Sequence, residues 1–118
     1  MASDMNVIGV IEAGIRAEGS RQKAIASNIA NMNAPGYRRS DVRFEEILSK
    51  ALRRDDNFDA TDLEPEFYQP MNTAVNANGN DVSLDTEVGE MVKNSLRHRA
   101  YMSILKAKYN QMKQAIQV

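Results

Sequence analysis

The chain has 118 residues with a hydrophobic fraction of 42%, few aromatic residues, and neither cysteine nor tryptophan. Its length predicts one domain, and the absence of cysteine excludes disulfides and thiol catalysis. The net charge of -1 gives the whole chain no attraction for nucleic acid or an anionic membrane, and no stretch approaches the roughly 18 apolar residues of a membrane span.

The first predicted element is a long N-terminal helix within residues 1–34. Apolar residues recur there at alternating spacings of three and four, which is the heptad pattern of a helix-packing seam. The seam residues are Ile8, Ile11, Ile15, Ile25, Ile29 and Met32. Three glycines interrupt the helix, each at a cost of about 1 kcal/mol relative to alanine. We therefore expect this helix to form only when another element packs on it.

Residues 35–54 are predicted to form a turn and a short amphipathic helix. Pro35-Gly36 ends the first helix, because proline cannot continue a helix and the residue before it avoids helical dihedrals. Asp41 is expected to be the N-cap of the second helix. Helical spacing places five apolar residues on one face of it: Phe44, Ile47, Leu48, Ala51 and Leu52.

Residues 55–81 have the composition of a long irregular loop. They contain two of the three prolines in the chain and many asparagines and aspartates. Loops of this length are uncommon in compact domains and usually indicate function or mobility.

The last segment, 82–118, is predicted to be a long C-terminal helix that begins at Ser83 or Asp85. Its acidic residues lie in the first turns and every charge after Glu90 is basic, which suits the helix macrodipole. The spacing again alternates between three and four. The predicted C-terminal seam consists of Leu84, Val88, Met91, Met102, Leu105, Tyr109, Met112 and Ile116.

These elements predict an all-α fold in one structural domain, with the long N- and C-terminal helices paired as a coiled-coil-like hairpin. Such a hairpin buries only one stripe of each helix. Apolar residues off the seams, among them Val7, Val92, Tyr101 and Ile104, are expected to stay exposed. The chain is therefore predicted to assemble with copies of itself or with other proteins.

Residue patterns typical of catalysis or ligand binding are missing from the sequence. His98 is the only histidine, no Ser-His-Asp pattern accompanies it, and no glycine-rich phosphate loop is present. The stretch NANGND has a calcium-loop composition but the wrong ligand spacing, so we interpret it as a turn. The basic C-terminal half is interpreted as a solvated helix face rather than a nucleic-acid site. We predict no catalytic residue, no metal site, no cofactor and no small-molecule substrate.

The stretch ASNIANMNAPGY resembles the signature of the flagellar basal-body rod protein family. The matching residues are Ala26, Ser27, Asn28, Ile29, Ala30, Asn31, Pro35, Gly36 and Tyr37. The C-terminal end, from residue 78 onward, resembles the corresponding segment of proximal rod members of that family. The residues in register there are Asn80, Val82, Leu84, Asp85, Glu87, Asn94, Ser95 and Leu96. The large inserted domain of distal rod and hook proteins is missing, which favours the proximal rod.

The resemblance implies a structural subunit that polymerises in the proximal rod of the bacterial flagellum. Such a rod transmits torque from the membrane ring to the distal rod and hook. The implied partners are other copies of the chain, other flagellar rod proteins, and membrane-ring and rod-adaptor proteins at the rod base. The implied location is the periplasmic rod, reached through the flagellar type III export apparatus without a cleavable signal peptide.

The same resemblance assigns roles to particular residues. Asn28 or Asn31 would fix the register between packed helices. The residues after the turn, Tyr37, Arg38 and Arg39, would lie at the rim of the inner layer and contact neighbouring subunits. Two further residues, Phe44 and Leu48, are similar to the phenylalanine-containing signal by which early flagellar subunits dock at the export gate.

Two other function classes are compatible with parts of the sequence. A soluble coiled-coil adaptor or chaperone that binds a partner helix would carry the same seams. An enzyme is the third class, and the missing catalytic pattern argues against it.

Overall fold

Two long antiparallel helices form the frame of the molecule. In this computed structural model, which describes residues 2–54 and 58–117, α1 spans Ala2–Ala30 and α3 spans Leu84–Ile116. The end of α1 lies against the start of α3, and the molecule measures 64 × 28 × 15 Å. Ser83 caps α3 by accepting a hydrogen bond from the Thr86 amide at 3.4 Å. The predicted pair of long helices is therefore present.

The middle of the chain is not wholly irregular. It contains β1 (Asp41–Arg43), α2 (Glu45–Arg54), a 3₁₀ helix (Ala60–Asp62) and β2 (Glu66–Tyr68), while residues 55–57 of the predicted loop lie outside the described residues. The two strands pair antiparallel, with Val42 opposite Phe67. The all-α prediction is right for the helical frame but misses this small sheet.

The predicted helix cap at Asp41 is wrong, because Asp41 is the first residue of β1 and α2 begins at Glu45. The Asp41 carboxylate accepts a hydrogen bond from the Val42 amide at 2.8 Å and lies 3.6 Å from the Arg39 guanidinium. It is therefore not available to cap α2. Burial of the β-branched Val42 side chain, combined with pairing to β2, extends the backbone at this point.

The core lies between α1 and the middle of the chain. Small side chains on α1 let other elements approach closely, and larger ones from the middle segment fill the space. The buried cluster consists of Ala13, Ala17, Phe44, Ala60 and Leu63, with Val10, Ile47, Leu48, Ala51 and Phe58 packed against it. The apolar face predicted for the short helix thus packs on α1, except for Leu52, which is half exposed.

Two of the three α1 glycines are points of close contact. A Cβ atom at Gly9 would lie 2.9 Å from the Ala60 Cβ, and one at Gly14 would lie 2.5 Å from the Tyr101 ring. A Cβ at Gly19 would meet nothing within 4 Å. Glycine at the first two positions therefore lowers helix propensity but permits tertiary packing that alanine would block.

Candidate functional site

The signature segment folds against the start of α3 around one buried asparagine. The Asn28 amide donates to the Ser40 carbonyl at 2.9 Å and to Glu87 Oε2 at 3.1 Å. Its side-chain oxygen accepts from the Ser40 amide at 2.8 Å and from the Tyr37 hydroxyl at 3.0 Å. An asparagine side chain has two N–H donors and two acceptor lone pairs, so its full hydrogen-bonding capacity is used. Asn28 joins α1, the following turn and α3 within one chain.

The residues after the turn bind buried carboxylates of the same chain. Arg39 Nε donates to Glu87 Oε1 at 2.8 Å, and Arg38 Nε donates to Asp81 Oδ2 at 3.1 Å. The Asp81 and Glu87 side chains have no exposed surface. Within the single chain, the polar groups of Tyr37, Arg38 and Arg39 thus bind the chain itself, and their contact with neighbouring subunits stays a prediction. Buried carboxylates require cationic partners, and these arginines supply them.

The Arg39–Glu87 pair favours the charged form of the arginine. Burial alone would lower the pKa of Arg39, but the hydrogen bond to Glu87 and the charges of Glu87 and Asp41 raise it. Arg39 therefore stays charged at every physiological pH.

Asn80 binds the turn that follows α1. Its side-chain amide donates to the Asn31 carbonyl at 2.9 Å and to the Ala34 carbonyl at 2.8 Å, and its side-chain oxygen accepts from the Val82 amide at 2.8 Å. Both carbonyls belong to the turn after α1, where they also accept from the Ala34 and Tyr37 amides, so Asn80 adds a second hydrogen bond to each. The Asn31 side chain donates back to the Ser27 carbonyl at 2.8 Å, so it makes no bridge to α3. Of the two asparagines considered, Asn28 bridges the helices.

The other signature residues lie around this network. The Ser27 and Tyr37 hydroxyls are 3.1 Å apart, and Ile29 is partly buried. Gly36 adopts a φ of +76°, which favours glycine, and its amide donates to the Asn78 carbonyl at 2.9 Å. The exposed signature residues are Ala26, Ser27, Ala30, Pro35 and Gly36. Among residues 2–54 and 58–117, no buried side-chain nitrogen or oxygen lacks a hydrogen-bond partner.

A second polar cluster lies at the middle of the α1–α3 contact. The carboxylate of buried Glu18 accepts from Arg97 Nε and from Arg21, each at 2.5 Å, and the Glu18 carbonyl accepts from the Asn94 amide at 2.7 Å. Arg21 also pairs with Glu45 of α2. Burial alone would raise the pKa of Glu45, but the Arg21 guanidinium lowers it below its ordinary value. This cluster connects all three α-helices.

The predicted seams occupy different environments in the two helices. On α1, Ile8, Ile11 and Ile25 are buried, while Ile15, Ile29 and Met32 are partly buried. On α3, only Leu105 and Met112 are partly buried. The remaining α3 seam residues are 42–77% exposed: Leu84, Val88, Met91, Met102, Tyr109 and Ile116.

The α3 face that packs on α1 instead carries Glu87, Asn94 and Tyr101, which are seven residues apart. The expectation that the whole C-terminal seam lies in the hairpin is therefore wrong for a single chain. Sequence reasoning named Glu87 and Asn94 only in the family resemblance and gave neither them nor Glu18 a packing role, because the seam search counted apolar residues. The seven-residue spacing of the polar positions was the available signal.

The two residues of the predicted export signal lie in the core. Phe44, the residue before α2, is 1% exposed, and Leu48 in the first turn of α2 is partly buried. The Leu48 amide donates to the Phe44 carbonyl at 2.9 Å. In the folded chain, Phe44 is inaccessible to a binding partner.

The described part of the chain has neither a metal-binding cluster nor a membrane-spanning helix. No group of three or more histidine, cysteine, aspartate or glutamate side chains there could hold a metal ion. No helix among these residues combines the length and apolar character required to cross a membrane.

The sequence of the chain is similar to those of known flagellar proteins. A family model for the flagella basal body rod protein matches residues 13–38, which include the signature turn. The chain is 30% identical over 102 residues to the flagellar basal body rod protein FlgB of Borreliella burgdorferi, covering 71% of this chain and 76% of that protein. It is 29% identical over 102 residues to FlgB of Bacillus subtilis, covering 79% of each chain. It is 27% identical over 114 residues to FlgB of Escherichia coli, covering 82% of this chain and 83% of that protein.

Proposed function

The chain belongs to the flagella basal body rod protein family, and on this premise we propose that it polymerises in the proximal part of the rod through its long helices. It is a structural subunit of the bacterial flagellar basal body rod and not an enzyme. The matched relatives give no support to the alternative of a soluble adaptor or chaperone.

The observation that supports polymerisation is the exposed apolar surface of α3. Six of its eight predicted seam residues are more than two-fifths exposed, although the helix is one of the two long elements of the frame. Monomeric soluble proteins rarely leave contiguous apolar surface of this kind in water. The first half of this surface, Leu84, Val88 and Met91, fits helices of neighbouring subunits best, because it has the heptad spacing of a helix-packing seam.

Partners, location and mechanical role follow as parts of the same proposal. The chain contacts other copies of itself and other rod proteins along the rod, and membrane-ring and adaptor proteins at its base. The assembled rod lies in the periplasm and transmits torque to the distal rod and hook. Helices packed side by side along their length resist twisting better than irregular segments, as a rod that transmits torque requires.

Export through the flagellar type III apparatus is proposed with Phe44 and Leu48 as the docking residues. Both side chains are packed in the folded chain, so docking requires a chain that has not yet folded. The small core is compatible with such a state, because a modest amount of buried apolar surface opposes unfolding weakly. The same side chains would then serve docking before export and packing after it.

Assembly is tested by placing charges on the exposed α3 seam. We expect Val88→Asp with Met91→Asp to leave the single chain folded, because both side chains are exposed. The same variant should abolish rods, because two carboxylates would enter an apolar contact between subunits. Circular dichroism of the purified chain and electron microscopy of isolated basal bodies provide the two measurements.

The matched control is Gln114→Asp, which adds a charge at an exposed α3 position off the seam. It should leave rods and swimming unchanged. Normal rods in the double variant would contradict assembly through this face.

A further inference from the structure

We propose that copies of the chain contact each other through opposite charges on two surfaces that the single chain leaves exposed. The first surface is a basic stripe on α3: Arg99, Met102, Lys106, Tyr109, Lys113 and Ile116. The second is the acidic segment 59–66 of a neighbouring copy. The inference rests on the proposed function as a rod subunit and adds to it a specific contact between copies.

The basic stripe alternates cations with apolar side chains at spacings of three and four. Its three cations are seven residues apart, so they lie about 10.5 Å from one another and span about 21 Å of helix. All six side chains are exposed, although the Tyr109 hydroxyl donates to Glu12 of α1 at 3.2 Å, and the stripe borders a groove of about 670 Å³. Elsewhere on α3, Lys93 faces Glu90 and Arg97 faces Glu18. Within the described residues, Arg99, Lys106 and Lys113 have no carboxylate partner.

The acidic segment presents four exposed carboxylates, those of Asp59, Asp62, Glu64 and Glu66. Asp59 caps the 3₁₀ helix, and Glu66 lies 3.8 Å from Arg43. Asp62 and Glu64 face no cation in the part of the chain that the structure describes. With a 3₁₀ rise of about 2.0 Å and an extended rise of about 3.3 Å per residue, the segment spans about 20 Å. This length matches the 21 Å between the outer cations of the stripe.

The acidic segment and α3, which carries the basic stripe, pack on different faces of α1. The acidic segment is anchored where Ala60 meets Gly9 and where the Leu63 carbonyl accepts from Arg16 at 3.3 Å. The helix α3 packs on another face, at Gly14 and Glu18. Contact between the two surfaces therefore requires a second copy. A contact between unlike patches continues from copy to copy and builds a ring or a helical array rather than a closed dimer.

Charge and apolarity together favour a protein partner over nucleic acid or a membrane. A phosphate backbone would pair with the three cations but leave the intervening Met102 and Ile116 without apolar contacts. A bilayer would require the apolar residues to form a face separate from the cations. The acidic segment supplies carboxylates and is followed by Phe67, which is 52% exposed and can contact an apolar side chain of the stripe.

Charge reversal with a crosslinking measurement tests the contact. The chain has no cysteine, so Thr61→Cys with Asn110→Cys allows an oxidative crosslink between copies in isolated basal bodies. Lys106→Glu with Lys113→Glu should reduce the crosslinked dimer about tenfold, because attraction becomes repulsion. Asp62→Lys with Glu64→Lys should do the same. Combining all four reversals should restore the dimer to near its original yield.

The control reverses two exposed lysines outside the stripe, Lys23→Glu with Lys50→Glu, and should leave the crosslink unchanged. Loss of the crosslink in both reversed pairs without recovery in the combined variant would overturn the contact between these two surfaces. Normal crosslinking in the single reversals would also overturn it, and rods present in the same cells would show that the rod function stands. Binding of the unaltered chain to phosphatidylglycerol vesicles, lost in Lys106→Glu with Lys113→Glu while crosslinking is normal, would instead assign the stripe to a membrane.

Discussion

At the scale of single residues, the signature motif acts through buried hydrogen bonds. Asn28 connects α1, the turn that follows it and α3, and the Glu87 carboxylate accepts hydrogen bonds from both Asn28 and Arg39. The motif indicated Asn28 or Asn31 as the register residue, but the role of Glu87 could not be assigned from sequence. Its role depends on two partners more than 45 residues away, and local patterns do not encode such pairs.

Asn28→Ala should lower the free energy of unfolding of the purified chain by about 2–4 kcal/mol. The change leaves the Glu87 carboxylate, the Tyr37 hydroxyl and the Ser40 backbone with lost partners in a buried site. Urea unfolding followed by circular dichroism measures the difference. The control Asn33→Ala removes an exposed amide and should cost under about 0.5 kcal/mol. Equal losses in the two variants would contradict the buried role.

Stability should also depend on the protonation of Glu45. Because Arg21 holds the pKa of Glu45 below its ordinary value, the folded chain binds this proton less readily than the unfolded chain. The contribution of the pair is complete above about pH 4.3 and is lost as the pH falls through the lower pKa of the folded chain. The Glu45 side chain is 61% exposed, so the effect is small. Glu45→Gln should flatten the fall in unfolding free energy between pH 5 and 3, and an unchanged slope would argue against the pair.

At the scale of elements, the sequence predicts that the two long helices exist, but it does not predict which face of α3 packs on α1. Heptad periodicity and the Ser83 cap predict both long helices correctly. On α3, however, two stripes compete, one apolar and one carrying Glu87, Asn94 and Tyr101. The polar stripe packs on α1 because its hydrogen bonds are satisfied there, and an apolar count cannot detect that satisfaction. The small sheet was missed because each strand has only three residues, too few for a period-two pattern.

Substitutions of the α1 glycines distinguish the effect of helix propensity on stability from the effect of tertiary packing. Gly19→Ala should raise the unfolding free energy by up to about 1 kcal/mol, because alanine favours the helix and its Cβ meets nothing. Gly14→Ala should lower it by about 1–3 kcal/mol, because the new Cβ overlaps the Tyr101 ring. Thermal unfolding of the two variants side by side gives the comparison. Stabilisation by both substitutions would mean that Tyr101 moves away without cost.

At the scale of the whole molecule, the chain combines a hydrogen-bonded pair of long helices with apolar surface that stays exposed. The assembly tendency was predictable, because the seams carry more apolar residues than one hairpin can bury. The contact partners were not predictable, since they depend on which α3 stripe turns toward α1. The same limit applies to the signature arginines, whose intrachain carboxylates lie more than 40 residues away.

Export belongs to this scale, because it involves the whole chain before folding. Phe44→Ala with Leu48→Ala should lower the amount of chain secreted while the cytoplasmic amount stays high. Secretion into the medium, measured by immunoblot in cells that lack the hook, reports docking separately from rod assembly. Phe67→Ala with Leu52→Ala removes the same two side-chain types from half-exposed positions and should secrete normally. Normal secretion of the Phe44 and Leu48 variant would remove the export role and leave packing alone.

Gly36 and Gly79 each lie in a turn, and the contact between these turns determines where the chain can accept insertions. A Cβ at Gly79 would lie 3.2 Å from the Gly36 Cα, so the chain between them leaves the helices and returns at one point. A segment whose ends already meet can be lengthened at little entropic cost, about 0.6 kcal/mol for each doubling. Most of this segment cannot be exchanged, because it supplies Phe44, Ala60 and Leu63 to the core. The exposed stretch around Ala74 is the place where added residues would leave the core and the two long helices unchanged.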